Sequence, residues 1–279
     1  MRFDWYQGTV AEEPDVLMGT LMRLAPGGSV ETCRGMHNYD HTHHLRRSNG
    51  ERVVTMLSGG KNGHPNVVAS GEGCEDFVDL VRECWPEHRV TRADACEDFV
   101  QTGSYEALEG VCKAITAAEG VKGRAIVPDD LEDGRTYYMG AASSDVRARL
   151  YDKAAEVRRH VAPAQLAGIP SDWTRLEVQV RPRGVFKGLA AHMEAQEFWG
   201  FSVWSQKLAA EALQLGVERS TMRVFREPCH DRALRFMLRQ YGGVFDRLIE
   251  VEASWEQVGV RIGERLEAER AIAWRQRGR

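Results

Sequence analysis

Thr174-Arg175-Leu176-Glu177-Val178-Gln179-Val180-Arg181 alternates polar and apolar residues almost perfectly. In extended backbone, successive side chains leave opposite faces. Leu176, Val178 and Val180 therefore share one face, and Arg175, Glu177, Gln179 and Arg181 share the other. A helix would scatter these side chains around its axis, so the segment reads as a strand with an apolar face turned to a core. The other face presents two guanidinium groups, a carboxylate and an amide in a row, which is unusual enough to examine for chemistry.

Working outward, the same reading finds further strands. Val146 to Lys153 alternates, with Arg147, Arg149, Tyr151 and Lys153 on one side. Arg92 to Asp98 places Arg92, Asp94, Cys96 and Asp98 together. Thr136 to Gly140 is a short strand, followed by a turn at Ser143-Ser144-Asp145. Val53-Val54-Thr55-Met56-Leu57 and Asn66 to Ser70 flank the turn Gly59-Gly60-Lys61-Asn62-Gly63 and form a hairpin. Cys74 to Trp85 is an amphipathic helix, with Phe77, Leu80, Val81 and Cys84 on one side, ended by Pro86. A second helix runs from Ser104, as N-cap, to Glu119. From Pro182 the pattern is helical, through Gln196–Leu215 and Pro228–Arg277. Strands with interspersed helices, then helices alone, define an α+β fold. The expected organisation is an α+β region over residues 1–185 and a helical region over 186–279 packed on it, with the seam at Pro182 to Gly188.

The chain has 279 residues and a net charge of −4, with 43% hydrophobic and 28% charged residues. These values are those of a globular protein. Charge is divided unevenly. Residues 1–133 hold 13 Lys+Arg against 23 Asp+Glu, and residues 134–279 hold 24 against 18. A phosphate-binding surface is thus expected mainly in the second part. The six cysteines form no CxxC pair, which excludes zinc-finger spacing, and they read as small buried hydrophobes. No apolar run is long enough to span a bilayer, and the opening residues lack a secretory apolar region. The expectation is a cytoplasmic protein without a membrane partner.

Three of the strands carry candidate chemistry. Asp94 and Asp98 share one strand face, and Glu177 on another strand offers a third acid. Oxygen ligands of this kind suit Mg²⁺ or Mn²⁺. Solvation, or pairing with Arg92 and Arg175, is the alternative. Tyr151 lies between Arg149 and Lys153, whose charges favour a phenolate and would hold a phosphodiester. A structural tyrosine at a sheet edge is the alternative there. Tyr137 and Tyr138 are rival nucleophiles without neighbouring cations in sequence; one reads as core and the other as a stacking or surface residue. His37, His41, His43 and His44 form a cluster that reads as a polar loop, although an extended His41 and His43 could share a transition metal. Gly59-Gly60-Lys61 lacks the spacing of a phosphate loop.

Taken together, these segments resemble one family. Arg92-Ala93-Asp94-Ala95-Cys96-Glu97-Asp98-Phe99 resembles the R-x-D-x-x-x-D-F element of the trans-acting rolling-circle replication initiators of plasmids, filamentous phages and integrative elements. Thr136-Tyr137-Tyr138-Met139-Gly140, then Ser144, then Arg149-Leu150-Tyr151-Asp152-Lys153, is similar to their T-x-Y-x-G…S…R-x-Y-x-K element. Arg175-Leu176-Glu177 is similar to their R-x-E strand, and Ala233-Leu234-Arg235-Phe236 to Trp255 shares their helical character. The resemblance covers residues 50 to 260 and lies in the order and spacing of the three motifs. It implies an antiparallel β-sheet nickase core related to the HUH/replication-initiator fold. It further implies Tyr151 as nucleophile, a divalent cation on Asp94, Asp98 and Glu177, and Arg149 and Lys153 as catalytic auxiliaries. Arg92, Arg147 and Arg175 would contact DNA phosphates. The implied partners are origin DNA as a single strand or extruded hairpin, a host helicase and polymerase, and a second copy of the chain. Two other readings stay open: a non-catalytic DNA-binding regulator on the same scaffold, and a metal-dependent phosphodiesterase that uses water.

Overall fold

In the computed structural model, described for residues 1–130, 133–161, 163–217, 237, 243–252 and 254–277, ten strands form one sheet. They are β1 (Arg2–Thr9), β2 (Ser29–Arg34), β3 (His41–Arg46), β4 (Arg52–Ser58), β5 (Asn66–Ser70), β6 (Arg89–Val100), β7 (Gly123–Ile126), β8 (Thr136–Met139), β9 (Val146–Asp152) and β10 (Trp173–Val180). The order across the sheet is β2-β3-β4-β5-β1-β6-β10-β9-β8-β7, and each neighbouring pair is antiparallel. Helices among the described residues include α1 (Pro14–Leu21), α2 (Cys74–Cys84), α3 (Ser104–Ala118), α4 (Lys153–Arg158), α5 (Phe186–Leu189), α6 (Val203–Leu213) and α7 (Trp255–Arg277). By contacts the chain divides into Met1–Met222 and Arg223–Arg279. The described residues 186–217 fall in the first unit, with the sheet. The expected helix Pro228–Arg277 lies partly outside the described residues, as do Cys229 and the stretch 233–236; α7 falls within its last part.

One face of the sheet is the core face. Phe3 and Tyr6 on β1, Ala93 and Ala95 on β6, Leu176, Val178 and Val180 on β10, Ala148 and Leu150 on β9, and Tyr137 and Met139 on β8 all enter one hydrophobic cluster. That cluster is completed by Phe77, Val78, Leu80 and Val81 from α2 and by Tyr105, Leu108, Cys112 and Ile115 from α3. The alanines of β6 leave room beneath the 3-10 segment Ala195–Phe201, whose Phe198 and Trp199 are fully buried. Phe3 meets the Phe198 ring edge-on at 5.3 Å between centroids. Burial of these side chains is the main stabilising contribution, about 1.5–3 kcal/mol for each large one.

Several local expectations change. The helix over Gln196–Leu215 is two elements, because Ser202 leaves helical backbone and caps α6 with a reciprocal Ser202–Ser205 box. Ser104 is not a cap but the first helical residue; its hydroxyl donates to Thr174 at 3.0 Å, and Gly103 in left-handed backbone precedes it. His41, His43 and His44 lie on strand β3 rather than in a loop, while His37 stays in the loop before it. His43 sits between Thr32 and Ser58, at 2.9 and 3.0 Å, and His44 contacts Thr55 at 3.0 Å. Cross-strand hydroxyls satisfy the imidazoles, so the strand forms without an apolar alternation. Gly140 closes β8 at φ 86°, and a Cβ there would lie 2.9 Å from the Val146 carbonyl oxygen, so only glycine fits.

Candidate active site on the open sheet face

The face opposite the core carries the polar rows. Register fixes the neighbours. Arg175 stands between Asp98 and Tyr151, Glu177 between Cys96 and Arg149, and Gln179 between Asp94 and Arg147. Tyr138 on β8 faces Arg149, and Trp5 on β1 faces Asp94. Period-two backbone thus puts Asp94, Asp98, Glu177, Tyr151, Arg92, Arg147, Arg149 and Arg175 on one side. Within that side they fall into two groups.

The first group is a closed ionic lock. Arg175 is 1% exposed. It donates to Asp98 through Nε at 2.7 Å and Nη2 at 2.8 Å, and to Asp4 through Nη1 at 2.6 Å. Trp173 Nε1 adds 2.9 Å to Asp98. Burial alone would raise the Asp98 carboxyl, but the hydrogen bonds and charge of Arg175 outweigh it and hold the carboxyl below its ordinary range. The expected metal ligand Asp98 and the expected phosphate contact Arg175 therefore hold each other. Asp4 reaches the lock from a bulge in β1, where both Asp4 and Trp5 fall between the core-facing Phe3 and Tyr6.

The second group lines a cavity of about 200 Å³ bordered by Arg92, Tyr138, Arg147, Arg149, Glu177, Gln179 and Arg181. Arg149 donates to Glu177 Oε1 at 2.9 Å, and Arg92 grips Asp94 at 2.9 and 2.5 Å. Gln179 Nε2 donates to Asp94 at 3.2 Å, which turns the amide oxygen away from that carboxylate. Gln179 Oε1, Glu177 Oε2 and Arg147 Nε are buried without a partner among the described residues. Burial pushes the Glu177 carboxyl up to about 7, with Arg149 opposing and Asp94 adding. Burial also works against the charge on Arg149, but Glu177 outweighs it and keeps the guanidinium protonated. The Arg147 guanidinium lies 3.9 Å over the Tyr138 ring. Tyr137, by contrast, is buried against α3, with its hydroxyl 3.4 Å from Thr116.

Tyr151 adjoins this cavity without lining it. Its side is buried, 5% exposed, between Arg149 at 4.2 Å and Lys153 at 5.8 Å from the ring centre. Its hydroxyl has no partner among the described residues. Burial, then the charge of Glu177, raises the phenol well above its ordinary pKa, while Arg149 and Arg175 oppose. Lys153 was expected on the strand; it opens α4 instead and pairs with Glu156 at 2.5 Å.

The three acids do not converge. Among the described residues, no group of three or more His, Cys, Asp or Glu side chains could hold a metal ion. Glu177 lines the cavity, Asp94 is held beside it by Arg92 and Gln179, and Asp98 belongs to the lock. His41 and His43 do lie near each other, ring centres 6.1 Å apart, but they form no such group either. Sequence reasoning placed Gln179 and Arg181 on the polar face without assigning them a role, although their alternation with Glu177 carried that signal. Asp4 and Trp5 were missed, because the β1 bulge breaks the period of two.

No protein-family model matches the sequence. No curated protein matches it either. Among solved structures, the fold is similar to that of a rolling circle replication initiator protein from Geobacillus stearothermophilus, at a TM-score of 0.51 and 21% identity, over 71% of this chain and 82% of that one. The chain is thus a mixed α+β protein whose large antiparallel sheet resembles a rolling-circle initiator fold. No helix among the described residues is long and apolar enough to cross a membrane.

Proposed function

We propose that this chain is a rolling-circle replication initiator that nicks one strand of an origin with Tyr151. The Tyr151 oxygen forms a bond to phosphorus, the bond from phosphorus to the 3′ oxygen breaks, and the phenolic proton ends on that oxygen. The products are a 5′-phosphotyrosyl adduct and a 3′ hydroxyl that primes a polymerase. The observation that carries this reading is the shared open face. A tyrosine whose hydroxyl lacks a partner among the described residues stands beside Arg149, Lys153 and a cavity lined by four arginines. Arg92, Arg147 and Arg181 bind and orient phosphates there, and Arg149 faces the charge that builds on the phosphoryl oxygens. Arg175 supports the face through its lock.

The donor set fits Mg²⁺ or Mn²⁺ in part. Asp94, Glu177 and the Gln179 carbonyl offer hard oxygens, two of them buried and without a partner among the described residues. On this reading Asp94 and Glu177 hold the ion and Asp98 does not. When bound, the ion withdraws charge from the phosphate. Origin DNA, a helicase, a polymerase and a second copy of the chain are the partners this function requires or uses.

The test is incubation with Mn²⁺ and a supercoiled plasmid carrying the DNA that flanks the coding sequence. A protein–DNA adduct that survives denaturation is expected, and Tyr151→Phe should abolish it while leaving DNA binding intact. One observation favours a second reading: Tyr138, not Tyr151, lines the cavity. Loss of the adduct in Tyr138→Phe and its survival in Tyr151→Phe would establish that alternative. Binding without cleavage would indicate a regulator, and cleavage without an adduct a water-using phosphodiesterase.

A further inference from the structure

The open face continues past the arginine cavity onto the other half of the sheet, where its chemistry changes. There β1, β5, β4 and β3 bound a second cavity, of about 180 Å³, whose walls include Trp5, Met36, His37, His44, Thr55 and Val68. Register places Trp5 beside Ser70, Val68 beside Thr55, and Thr55 beside His44, all on the side away from the core. The loop before β3 supplies Met36 and His37. It is held in an uncommon backbone, with His37 at φ 55° and Asn38 at φ 66°. Two consecutive non-glycine residues in the left-handed region are strained, and such strain collects at binding sites. The Trp5 indole Nε1 is buried without an acceptor among the described residues.

The two cavities are joined by one contact. Arg92, which borders the arginine cavity, lies 4.4 Å over the Trp5 ring, which borders the second. Phosphate-binding cations thus give way directly to an aromatic and aliphatic cleft with hydrogen-bonding edges. A cavity of this size is below the ~300 Å³ of drug-sized ligand sites and suits a single ring system. Polyanionic backbone on one side and a flat, edge-polar ring on the other is the chemistry of single-stranded nucleic acid.

We propose that this cleft takes one unstacked nucleobase of the strand whose phosphates occupy the arginine cavity, with Trp5 as its stacking wall and His37 and His44 as edge contacts. The proposal rests on the DNA-nicking reading and adds a specificity site to it. Trp5 stands in one row with Asp94, Gln179 and Arg147, so the site lies three strands across and four residues along from Tyr151, about 20 Å at ordinary strand spacing and rise, and the base is one a few nucleotides from the nick.

The test is photo-crosslinking of the unmodified protein to (dT)₂₀ carrying a single 5-iodouracil, followed by mass spectrometry of the joined peptides. Crosslinks at Trp5, Met36 or His37 are expected. Val68→Phe, which fills the cleft from its floor, should remove them, spare crosslinks near Tyr138, and weaken (dT)₂₀ binding about tenfold, the scale of one base-stacking contact. Crosslinks confined to the neighbourhood of Tyr138 and Arg147 would overturn the base site and leave the nicking reading standing. Crosslinks at Trp5 that persist unchanged in a folded Val68→Phe protein would also overturn it. Failure of the strand to bind at all would sink both. The crosslink is read first on the parent protein, so it does not hinge on the folding of the variant.

Discussion

Replacing Arg175 by methionine separates a structural guanidinium from a DNA-binding one. The side chain is 1% exposed and makes three charge-assisted hydrogen bonds, to Asp98 and Asp4. Methionine keeps most of the volume and removes the buried charge, leaving Asp98 and Asp4 with only the longer, partly exposed contacts of Arg2, at 3.4 and 3.6 Å. Breaking a buried pair from one side destabilises by about 3–5 kcal/mol. The acids here retain 26% and 18% side-chain exposure, so water compensates in part and the lower end applies, about 3 kcal/mol. For a unit spanning Met1–Met222, each kcal/mol moves Tm by about 2–4 °C, which gives a fall of about 6–12 °C. Thermal melts followed by circular dichroism measure it. Arg175→Met with Asp98→Asn should melt above the single variant, because one stranded charge is gone. A single variant that melts within 2 °C of the parent but loses DNA affinity would refute this account and restore Arg175 to the phosphate contacts.

Other outcomes follow from the same geometry. His88 is buried, with Nε2 at 2.7 Å from the Tyr6 hydroxyl and Nδ1 at 2.8 Å from the Trp85 carbonyl. Burial lowers its pKa, Arg82 and His192 add to that, and the Trp85 carbonyl opposes. The folded state therefore binds its proton more weakly than the unfolded state. Its contribution to stability is whole above the unfolded value of about 6.5 and is lost as pH falls through the lower folded value. Melts of the parent should decline through that window more steeply than those of His88→Gln, and parallel curves would count against it. Arg147→Ala should weaken single-strand binding across sequences and reduce the salt slope by about one, as measured by fluorescence anisotropy at several salt concentrations; an unchanged slope removes it from the phosphate path. Leu176→Ala, in the fully buried row of β10, should cost about 2–5 kcal/mol in urea denaturation. A loss under 1 kcal/mol would mean that the core face is assigned to the wrong side of the strand.

Where side chains alternate, the sequence was readable. β10, β9 and β6 follow the period of two, the β4–β5 hairpin shows in β-branched residues around a glycine-rich turn, and α2 and α3 follow the helical period. Elements whose patterns are overridden by neighbours were not readable. β1 is central to the sheet, yet its bulge lets Phe3 and Tyr6 reach the same core from positions three apart. β3 is polar because Thr32, Ser58 and Thr55 accept or donate to its histidines, and those partners come from other strands. The site divides in the same way. That Asp94, Glu177 and the arginines share a face was visible in spacing. That Asp98 is claimed by Arg175, 77 residues away, depends on the β6–β10 register, which no local pattern encodes. Lys153 left the strand because the helix begins there, a boundary of one residue.

The position of β6 bears on how the chain emerges from a ribosome. One edge of this twelve-residue strand is covered early, by β1, but its other edge waits for β10, which begins at Trp173, beyond Val100 by some seventy residues. At translation rates of about 5–20 residues per second, that edge stays open for roughly 4–15 s. Its own side chains limit the hazard: Arg92, Asp94, Glu97 and Asp98 along the bare edge disfavour pairing with a neighbouring nascent chain. The acids and cations that later shape the open face would thus serve first as gatekeepers, holding the half-built sheet soluble until its last central strand arrives.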